Sequence, residues 1–287
     1  MTSNGVLVVG AVAYDPKVVD IWEGFKAWFD DHGLALDYVL FSNYERLVES
    51  LIDGNVDIAW NSPLAWVRAR RLAAATGLSV RAIAMRDTDC DLRSVIVSMA
   101  DGEIRDALDL KGRTVAVGAP DSPQATLLPL AALSAHGLQP HEDFTVRVFD
   151  VLGGKHGDHV GGERDAAAAL AAGEVDAACL LNGNRKIFES EGLFEPDGVR
   201  VVATTEPFDH CNFTATGASP DELVEEFRRL LLDMSYDDPA TKRLFELEGL
   251  RRWVPARTSG YEQLERAVDE LGFYDGSGRI AAAGYSY

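Results

Sequence analysis

Two segments of the sequence combine imidazole, thiol and carboxylate side chains at spacings that suit a metal ion or proton transfer. One is Lys155-His156-Gly157-Asp158-His159 and the other is Asp209-His210-Cys211. Two histidines three residues apart can share one metal ion, and a cysteine beside a histidine can bind an ion or act as a nucleophile. The same residues also fit a glycine-rich turn with capping histidines and a small buried cysteine.

These patterns predict a transition-metal site for zinc, iron or copper, or an acid–base site. The predicted metal ligands are His156, His159, His210, Cys211 and Asp209. If the protein is an enzyme, the predicted catalytic residues are His156, His159 and Cys211.

Two Ser-Pro dipeptides, Ser62-Pro63 and Ser122-Pro123, are typical of an N-cap followed by the first residue of a helix. The free N–H groups of a helix N-terminus suit a carboxylate or phosphoryl oxygen, although a cap needs no ligand. Arg93 is a candidate cation for the same anion, or else the partner of Asp91 or Asp209 in a salt bridge. The predicted ligand-binding residues are Tyr14, Asn61, Ser62, Arg93, Ser122, Gln124, Thr126, Lys155, His156 and Asn182.

The elements that must position these residues alternate between strands and helices. An apolar strand over 5–13 precedes a helix over 17–32, and the pattern repeats to a strand over 79–85. A second α/β series opens near 109–120, and amphipathic helices are predicted over 220–234 and 260–271. This rhythm predicts mostly parallel sheets with helices on both faces.

The second series predicts a chain of two lobes. Lobe 1 comprises 1–88 plus 212–287, lobe 2 comprises 89–211, and two segments near 87–99 and 203–214 cross between them. Ligands of such sheets bind at the carboxyl ends of the strands, which predicts a cleft between the lobes. If the crossing segments are neighbours, Cys90 and Cys211 lie close together.

The charge balance narrows the possible partners. The 287 residues include 27 Lys plus Arg against 46 Asp plus Glu, a net charge of −19. This excess of acid disfavours nucleic acid and anionic membranes as partners. No apolar run approaches the roughly 20 residues of a membrane span. The first residues have no basic region typical of a signal peptide, so a cytoplasmic location is expected.

Three stretches, 43–71, 109–138 and 153–180, resemble the phosphonate- and phosphite-binding branch of the type 2 periplasmic-binding-protein fold. Their best matches are GNVDIAWNSPLAWV, DLKGRTVAVGAPDSPQATLLPLAAL and AAAALAAGEVDAACL. The resemblance implies a two-lobe α/β fold and a small anionic ligand, of phosphonate, phosphate or carboxylate type, held by a substrate-binding component of an ABC transporter. The sequence departs from the family pattern at Asn61-Ser62-Pro63 and at the turn 121–126. The missing secretion signal weighs against a transporter partner.

Two functions are therefore expected. The first is binding of a small polar, anionic ligand in the cleft between the lobes. The alternative is a cytoplasmic enzyme on the same fold, metal-dependent or not, acting on a small acid as a decarboxylase or hydrolase.

Overall fold

The computed structural model describes residues 5–151, 153–157 and 162–287. The chain divides into two compact units. Unit 1 comprises Met1–Cys90, Asp209–Tyr261 and Tyr274–Ala281, and unit 2 comprises Asp91–Phe208, Glu262–Phe273 and Ala282–Tyr287. Each unit is built from segments that are distant in sequence.

The described elements follow the alternation that the sequence predicts. The strands are β1 (Leu7–Val12), β2 (Leu36–Phe41), β3 (Ile58–Asn61), β4 (Val80–Ala82), β5 (Ala84–Arg86), β6 (Ser94–Met99), β7 (Thr114–Val117), β8 (Thr145–Val148), β9 (Ala177–Leu181), β10 (Val199–Thr204), β11 (Asn212–Thr216) and β12 (Trp253–Pro255). The helices are α1 (Lys17–Asp31), α2 (Tyr44–Ile52), α3 (Pro63–Thr76), α4 (Leu128–Ala135), α5 (Glu163–Ala171), α6 (Asn182–Ser190), α7 (Asp221–Asp233), α8 (Pro239–Glu248) and α9 (Glu262–Glu270).

Unit 1 contains a five-stranded sheet in the order β2-β1-β3-β11-β4. Strand β1 pairs in parallel with β2 and β3, whereas β11 runs antiparallel to both β3 and β4. Helix α1 covers the sheet with the apolar face that its sequence spacing predicts, including Trp22, Phe25 and Phe29. Trp22 meets Phe213 of β11 edge to face, with 6.2 Å between ring centroids.

Unit 2 contains a second five-stranded sheet in the order β10-β6-β9-β7-β8. Strand β7 pairs in parallel with β8 and β9, whereas β6 is antiparallel to β9 and β10. Both sheets are therefore mixed, where the sequence predicted mostly parallel ones. The composition of a segment can identify a strand. Whether that strand runs parallel or antiparallel to its neighbours depends on where the connecting segment enters the sheet.

The segments before β6 and after β10 lie side by side, as the crossing-segment hypothesis requires. In unit 2, Leu92 and Phe208 exchange two backbone hydrogen bonds of 2.8 Å. In unit 1, the His210 N–H donates to the carbonyl oxygen of Asp89 at 2.8 Å. These bonds bring the residues around Cys90 close to those around Cys211.

The carboxyl-terminal region differs from the predicted organisation. Helix α9 groups with unit 2, where it contacts α4, although the sequence analysis placed 260–271 in lobe 1. Helix α8 was not predicted at all. An amphipathic stripe shows that a helix packs on something, but it does not identify which surface it packs on. Among the described residues, none of the helices has the length and apolar character that crossing a membrane requires.

Candidate functional site

The carboxyl end of β3 presents an unpaired buried amide in unit 1. Asn61, the last residue of β3, is fully buried, and neither its Oδ1 nor its Nδ2 has a hydrogen-bond partner among the described residues. Ser62 follows as the N-cap of α3, and its hydroxyl oxygen accepts from the Ala65 N–H at 3.1 Å. The predicted Ser-Pro helix start is confirmed here. A buried amide that lacks partners is costly, so Asn61 is the strongest candidate for a ligand contact.

Tyr14 lies just beyond the end of β1 in the same unit. Its ring is half-buried against the hydrophobic core of unit 1, and the Lys17 ammonium lies 5.8 Å from the ring centroid. Part of this side chain therefore serves packing. Its predicted contact with a ligand stays a prediction.

The second Ser-Pro dipeptide begins a helical segment in unit 2, as predicted. Pro123–Leu127 forms one π-helical turn that continues into α4, and the Ser122 hydroxyl oxygen accepts from the Ala125 N–H at 3.1 Å. The Thr126 hydroxyl donates to the carbonyl oxygen of Ala119 at 2.8 Å. Both hydroxyl groups are buried and hold the turn in place.

Asp121 precedes this turn and is fully buried. Its Oδ2 accepts from the backbone N–H groups of Gly154 at 2.6 Å and His156 at 3.2 Å, and from the Tyr285 hydroxyl at 2.9 Å. The carboxylate thereby fixes the loop 153–157 and the carboxyl-terminal residues of unit 2. The sequence analysis did not foresee Tyr285, which is distant in sequence and carries no motif.

The glycine-rich loop 153–157 lies directly on the Ser122 turn. The Gln124 amide donates to the carbonyl oxygen of Gly157 at 2.7 Å, and a Cβ at Gly157 would overlap the Ser122 hydroxyl. Gly157 adopts a φ of +64°, which only glycine tolerates easily, and His156 is fully buried with a φ of +52°. The predicted residues Ser122, Gln124 and His156 therefore form one packed cluster.

The predicted histidine pair lies only partly within the described residues. Lys155 is half-buried. His159 lies outside the described residues, so a metal shared by His156 and His159 stays a prediction.

Glu163, the first residue of α5, is a buried carboxyl group that the sequence analysis missed. Its Oε2 accepts from the Leu181 N–H at 2.8 Å and from the Asn184 amide at 3.0 Å. Burial raises the pKa of Glu163 to about 7, and these two hydrogen bonds oppose the rise. The predicted residue Asn182 instead begins α6, where its Oδ1 accepts a long hydrogen bond of 3.4 Å from Arg185. Asn184, two residues further along α6, is the asparagine whose amide donates to the Glu163 carboxyl.

Arg93 makes a backbone contact in unit 2, and its predicted contact with a ligand anion stays a prediction. It is exposed, and its guanidinium donates to the carbonyl oxygen of Thr205 at 3.0 Å. Within unit 1, the Asp209 carboxylate is paired with Arg257. Arg93 therefore joins two neighbouring backbone segments of unit 2.

The return segment of unit 1 brings His210, Cys211 and Asp89 together. His210 Nδ1 lies 3.1 Å from the Cys211 sulfur and 3.7 Å from Oδ1 of Asp89. Asp209, predicted from the sequence as a ligand of this group, instead pairs with Arg257, and Asp89 supplies the carboxylate. The third group comes from the residues that follow β5.

Arg86 and Glu248 are two ionisable side chains next to this cluster. Arg86 donates to both Asp89 oxygens at 2.6 and 2.9 Å and to the Glu248 carboxylate at 3.1 Å. Burial by itself lowers the pKa of Arg86, but Asp89, Cys211 and Glu248 outweigh it and raise that pKa well above its ordinary value. Burial lowers the pKa of His210 to about 4, so its imidazole is neutral at pH 7.

The remaining cysteines differ in their surroundings. Cys90 is partly buried and its thiol donates to the carbonyl oxygen of Arg86 at 3.7 Å. Cys179 lies in β9 within the apolar core of unit 2. Burial raises the pKa of the Cys179 thiol, which makes it inert.

A family model described as "ABC transporter, phosphonate, periplasmic substrate-binding protein" matches residues 11–261. The chain belongs to this family. Among curated proteins, the phosphate-import protein PhnD of Mycolicibacterium smegmatis is 24% identical over 282 residues, covering 91% of this chain and 81% of the relative. The resemblance seen in the sequence is thereby confirmed.

Solved structures show the fold of this phosphonate-binding family member. PhnD1 of Prochlorococcus marinus, solved with methylphosphonate, has a TM-score of 0.69 at 20% identity and covers 93% of this chain and 98% of its own. The aliphatic sulphonate binding protein SsuA of Escherichia coli has a TM-score of 0.61 at 18% identity and covers 97% and 98%. The predicted two-lobe α/β fold class is confirmed. The predicted ligand cleft between the lobes stays a prediction.

Proposed function

We propose that this protein binds a small oxyanion of phosphonate or phosphate type, as a substrate-binding protein of its family. The observation that carries the proposal is the fully buried Asn61 amide at the N-terminus of α3, which has no hydrogen-bond partner in the described part of the chain. The family description and the printed names of the relatives point to the same ligand class. The enzyme alternative gains no support from the family model or from these relatives.

The N-terminus of α3 supplies the electrostatic part of the site. The helix has 14 residues, and no acidic side chain lies in its first turn. Its first N–H groups and its dipole favour an anion within hydrogen-bond reach. Pro63 has no N–H, the Ala65 N–H is taken by the Ser62 cap and the Trp66 N–H by the Ser62 carbonyl oxygen, which leaves the Leu64 N–H of the first turn for a ligand.

Asn61 supplies the selective part of the site. Its Nδ2 can donate to an ionised ligand oxygen, while its Oδ1 can accept from a hydroxyl group on the same ligand. A monoprotonated phosphonate or hydrogenphosphate offers both groups, whereas a sulfonate has no hydroxyl at neutral pH. A site built to pair a ligand hydroxyl rejects an analogue that lacks it. We therefore expect methylphosphonate to bind more tightly than methanesulfonate.

Isothermal titration calorimetry with methylphosphonate, phosphate and methanesulfonate tests the proposal. Asn61→Ala should weaken methylphosphonate binding by about 10-fold or more, since a hydrogen bond to a charged ligand contributes about 1.5–3 kcal/mol. Asn43→Ser is the matched control, because serine preserves the N-cap of α2 that Asn43 provides. Wild-type affinity in Asn61→Ala, or no heat with any of the three anions, would overturn the proposal.

Location and transporter partner are separate questions. The family is described as periplasmic and as part of an ABC transporter. The cytoplasmic location and the doubtful transporter partner that the sequence analysis expected stay predictions. Fractionation of the source cells, followed by detection of the protein, tests the location, and co-purification with solubilised membrane proteins tests the transporter partner.

A further inference from the structure

The side chains of Asp89, His210 and Cys211 converge in unit 1. One ligand atom from each, a carboxylate oxygen, an imidazole nitrogen and a sulfur, lies within 4.8 Å of the other two. Asp89, His210 and Cys211 are 3%, 8% and 2% exposed, respectively. The backbone bond from His210 to the carbonyl oxygen of Asp89 holds the two segments together at this point.

We propose that these three side chains form a binding site for a borderline-soft divalent transition metal such as zinc. A tetrahedral ion bonded at about 2.0 Å to nitrogen and 2.3 Å to sulfur holds those two atoms about 3.5 Å apart. It holds a nitrogen and an oxygen ligand about 3.4 Å apart. The separations here are 3.1 Å from Nδ1 to Sγ and 3.7 Å from Nδ1 to Oδ1, so small side-chain rotations reach both values.

Both nearest contacts of the imidazole converge on Nδ1. A proton relay needs the carboxylate on one ring nitrogen and the nucleophile on the other, as in a catalytic triad. Here Asp89 and Cys211 both lie next to Nδ1. This arrangement suits three ligands around one metal ion, whereas a proton relay would use both ring nitrogens. The geometry therefore favours ligation over nucleophilic catalysis.

Arg86 restricts which ion the site accepts. Its two bonds to Asp89 use one lone pair on each carboxylate oxygen and leave another on each for a metal. A guanidinium this close disfavours calcium or magnesium, which depend on several carboxylate and other oxygen ligands. Thiolate and imidazole ligands instead select zinc, cobalt or copper.

The charge balance and the proton balance are consistent with a divalent ion. Formation of the metal–sulfur bond releases the Cys211 thiol proton to solvent and leaves a thiolate. Asp89 and the Cys211 thiolate then carry two negative charges against the one positive charge of Arg86, while Glu248 also faces Lys17. A divalent ion offsets the excess of negative charge. The three protein ligands leave the fourth tetrahedral position open to water or a small anion.

Cobalt(II) titration of the chelator-treated, tag-free full chain tests the proposal without any activity assay. We expect one cobalt per chain and an intense near-ultraviolet thiolate-to-cobalt charge-transfer band. Cys211→Ser should abolish the band, whereas Cys179→Ser, which removes a core cysteine of unit 2, should keep it. Cys90→Ser should also keep it.

Competition for the bound cobalt measures zinc affinity, and circular dichroism checks that each variant is folded. Asp89→Asn, which keeps the shape of the side chain, removes a direct ligand and should weaken zinc binding by more than the roughly 10- to 100-fold that loss of an outer partner costs. Excess calcium or magnesium should leave the cobalt band unchanged. Absence of the band in the wild type, its survival in folded Cys211→Ser, or its loss in folded Cys90→Ser would each overturn the proposed ligand set. Because the readout contains no oxyanion, its failure is distinct from failure of the proposed anion binding.

Discussion

Asp209 and Arg257 form a bidentate ion pair in which both nitrogen–oxygen distances are 2.6 Å. The Asp209 side chain is fully buried, whereas the Arg257 side chain is 43% exposed. The negative charge of Asp209 is therefore shielded from solvent, whereas the positive charge of Arg257 remains in contact with it. The carboxylate consequently depends on Arg257 for its charge compensation.

The first prediction concerns this dependence. Arg257→Met should lower the free energy of unfolding by about 2–4 kcal/mol, because it leaves a buried carboxylate without its counter-charge. Arg266→Met, which breaks the exposed pair with Glu206, should cost at most about 1 kcal/mol. Urea denaturation measures both. Adding Asp209→Asn to Arg257→Met should recover part of the loss, and equal losses in the two single variants would contradict the interpretation.

The second prediction concerns the close approach of the glycine-rich loop to the Ser122 turn. Gly157→Ala should destabilise the protein by about 3 kcal/mol or more, because the new Cβ meets the Ser122 hydroxyl. Gly173→Ala is the matched control, since Gly173 has a similar φ of +71° but an open environment. It should cost only the backbone strain of about 1–2 kcal/mol. Thermal and urea unfolding of both variants should therefore separate the cost of steric overlap from the cost of backbone strain. Similar losses of stability in the two variants would contradict the close packing of Gly157 on Ser122.

The third prediction separates stability from binding at Asn61. Asn61→Leu should raise the unfolding free energy of the ligand-free protein by about 1–2 kcal/mol, because it removes two unpaired buried polar atoms. The same variant should lose methylphosphonate binding. Asn212, its neighbour across the sheet, is fully paired, since it donates to the Tyr261 hydroxyl and accepts from Thr214. Asn212→Leu should destabilise, so a loss of stability in both variants would argue against an unpaired Asn61.

The fourth prediction is a pH dependence that arises from Glu163. Its pKa is about 7 in the folded protein against 4.5 as the ordinary value. Between these two values the folded state holds a proton that the unfolded state has lost, so the contribution of Glu163 to stability falls as pH rises. The full loss, present above pH 7, is about 3 kcal/mol.

Glu163→Gln isolates this contribution, because the glutamine oxygen can still accept from Leu181 and Asn184. The variant should gain stability relative to the wild type as pH rises from 4.5 to 7.5. Urea denaturation across this range measures the difference, in which other titrating groups cancel. A difference that is independent of pH would show that Glu163 is not shifted.

Much of the local structure follows from sequence periodicity. The buried face of α1 and the two Ser-Pro helix starts were predicted correctly, because a helix must bury one face and a serine can pair a free N–H group locally. The family motifs likewise sufficed for the fold class. These features depend on residues within a few positions of each other.

The candidate site was predicted less completely, because its contacts join distant residues. Asp89 lies beside His210, where Asp209 was predicted. Asp209 instead forms an ion pair with Arg257, and residues 209–211 precede the regular strand β11. Asn184 donates to the buried Glu163 carboxyl, a contact between two helices that lie apart in the sequence. No local pattern encodes either choice.

The sequence by itself therefore determined the acidic α/β chain, its family and the helix starts at Ser62 and Ser122. Only the tertiary structure decided which buried polar atoms lack partners and which side chains converge. The reason is physical: caps and amphipathic faces are set by neighbours along the chain, whereas Asn61, Glu163 and Cys211 owe their environments to strands and helices that arrive from elsewhere in the sequence.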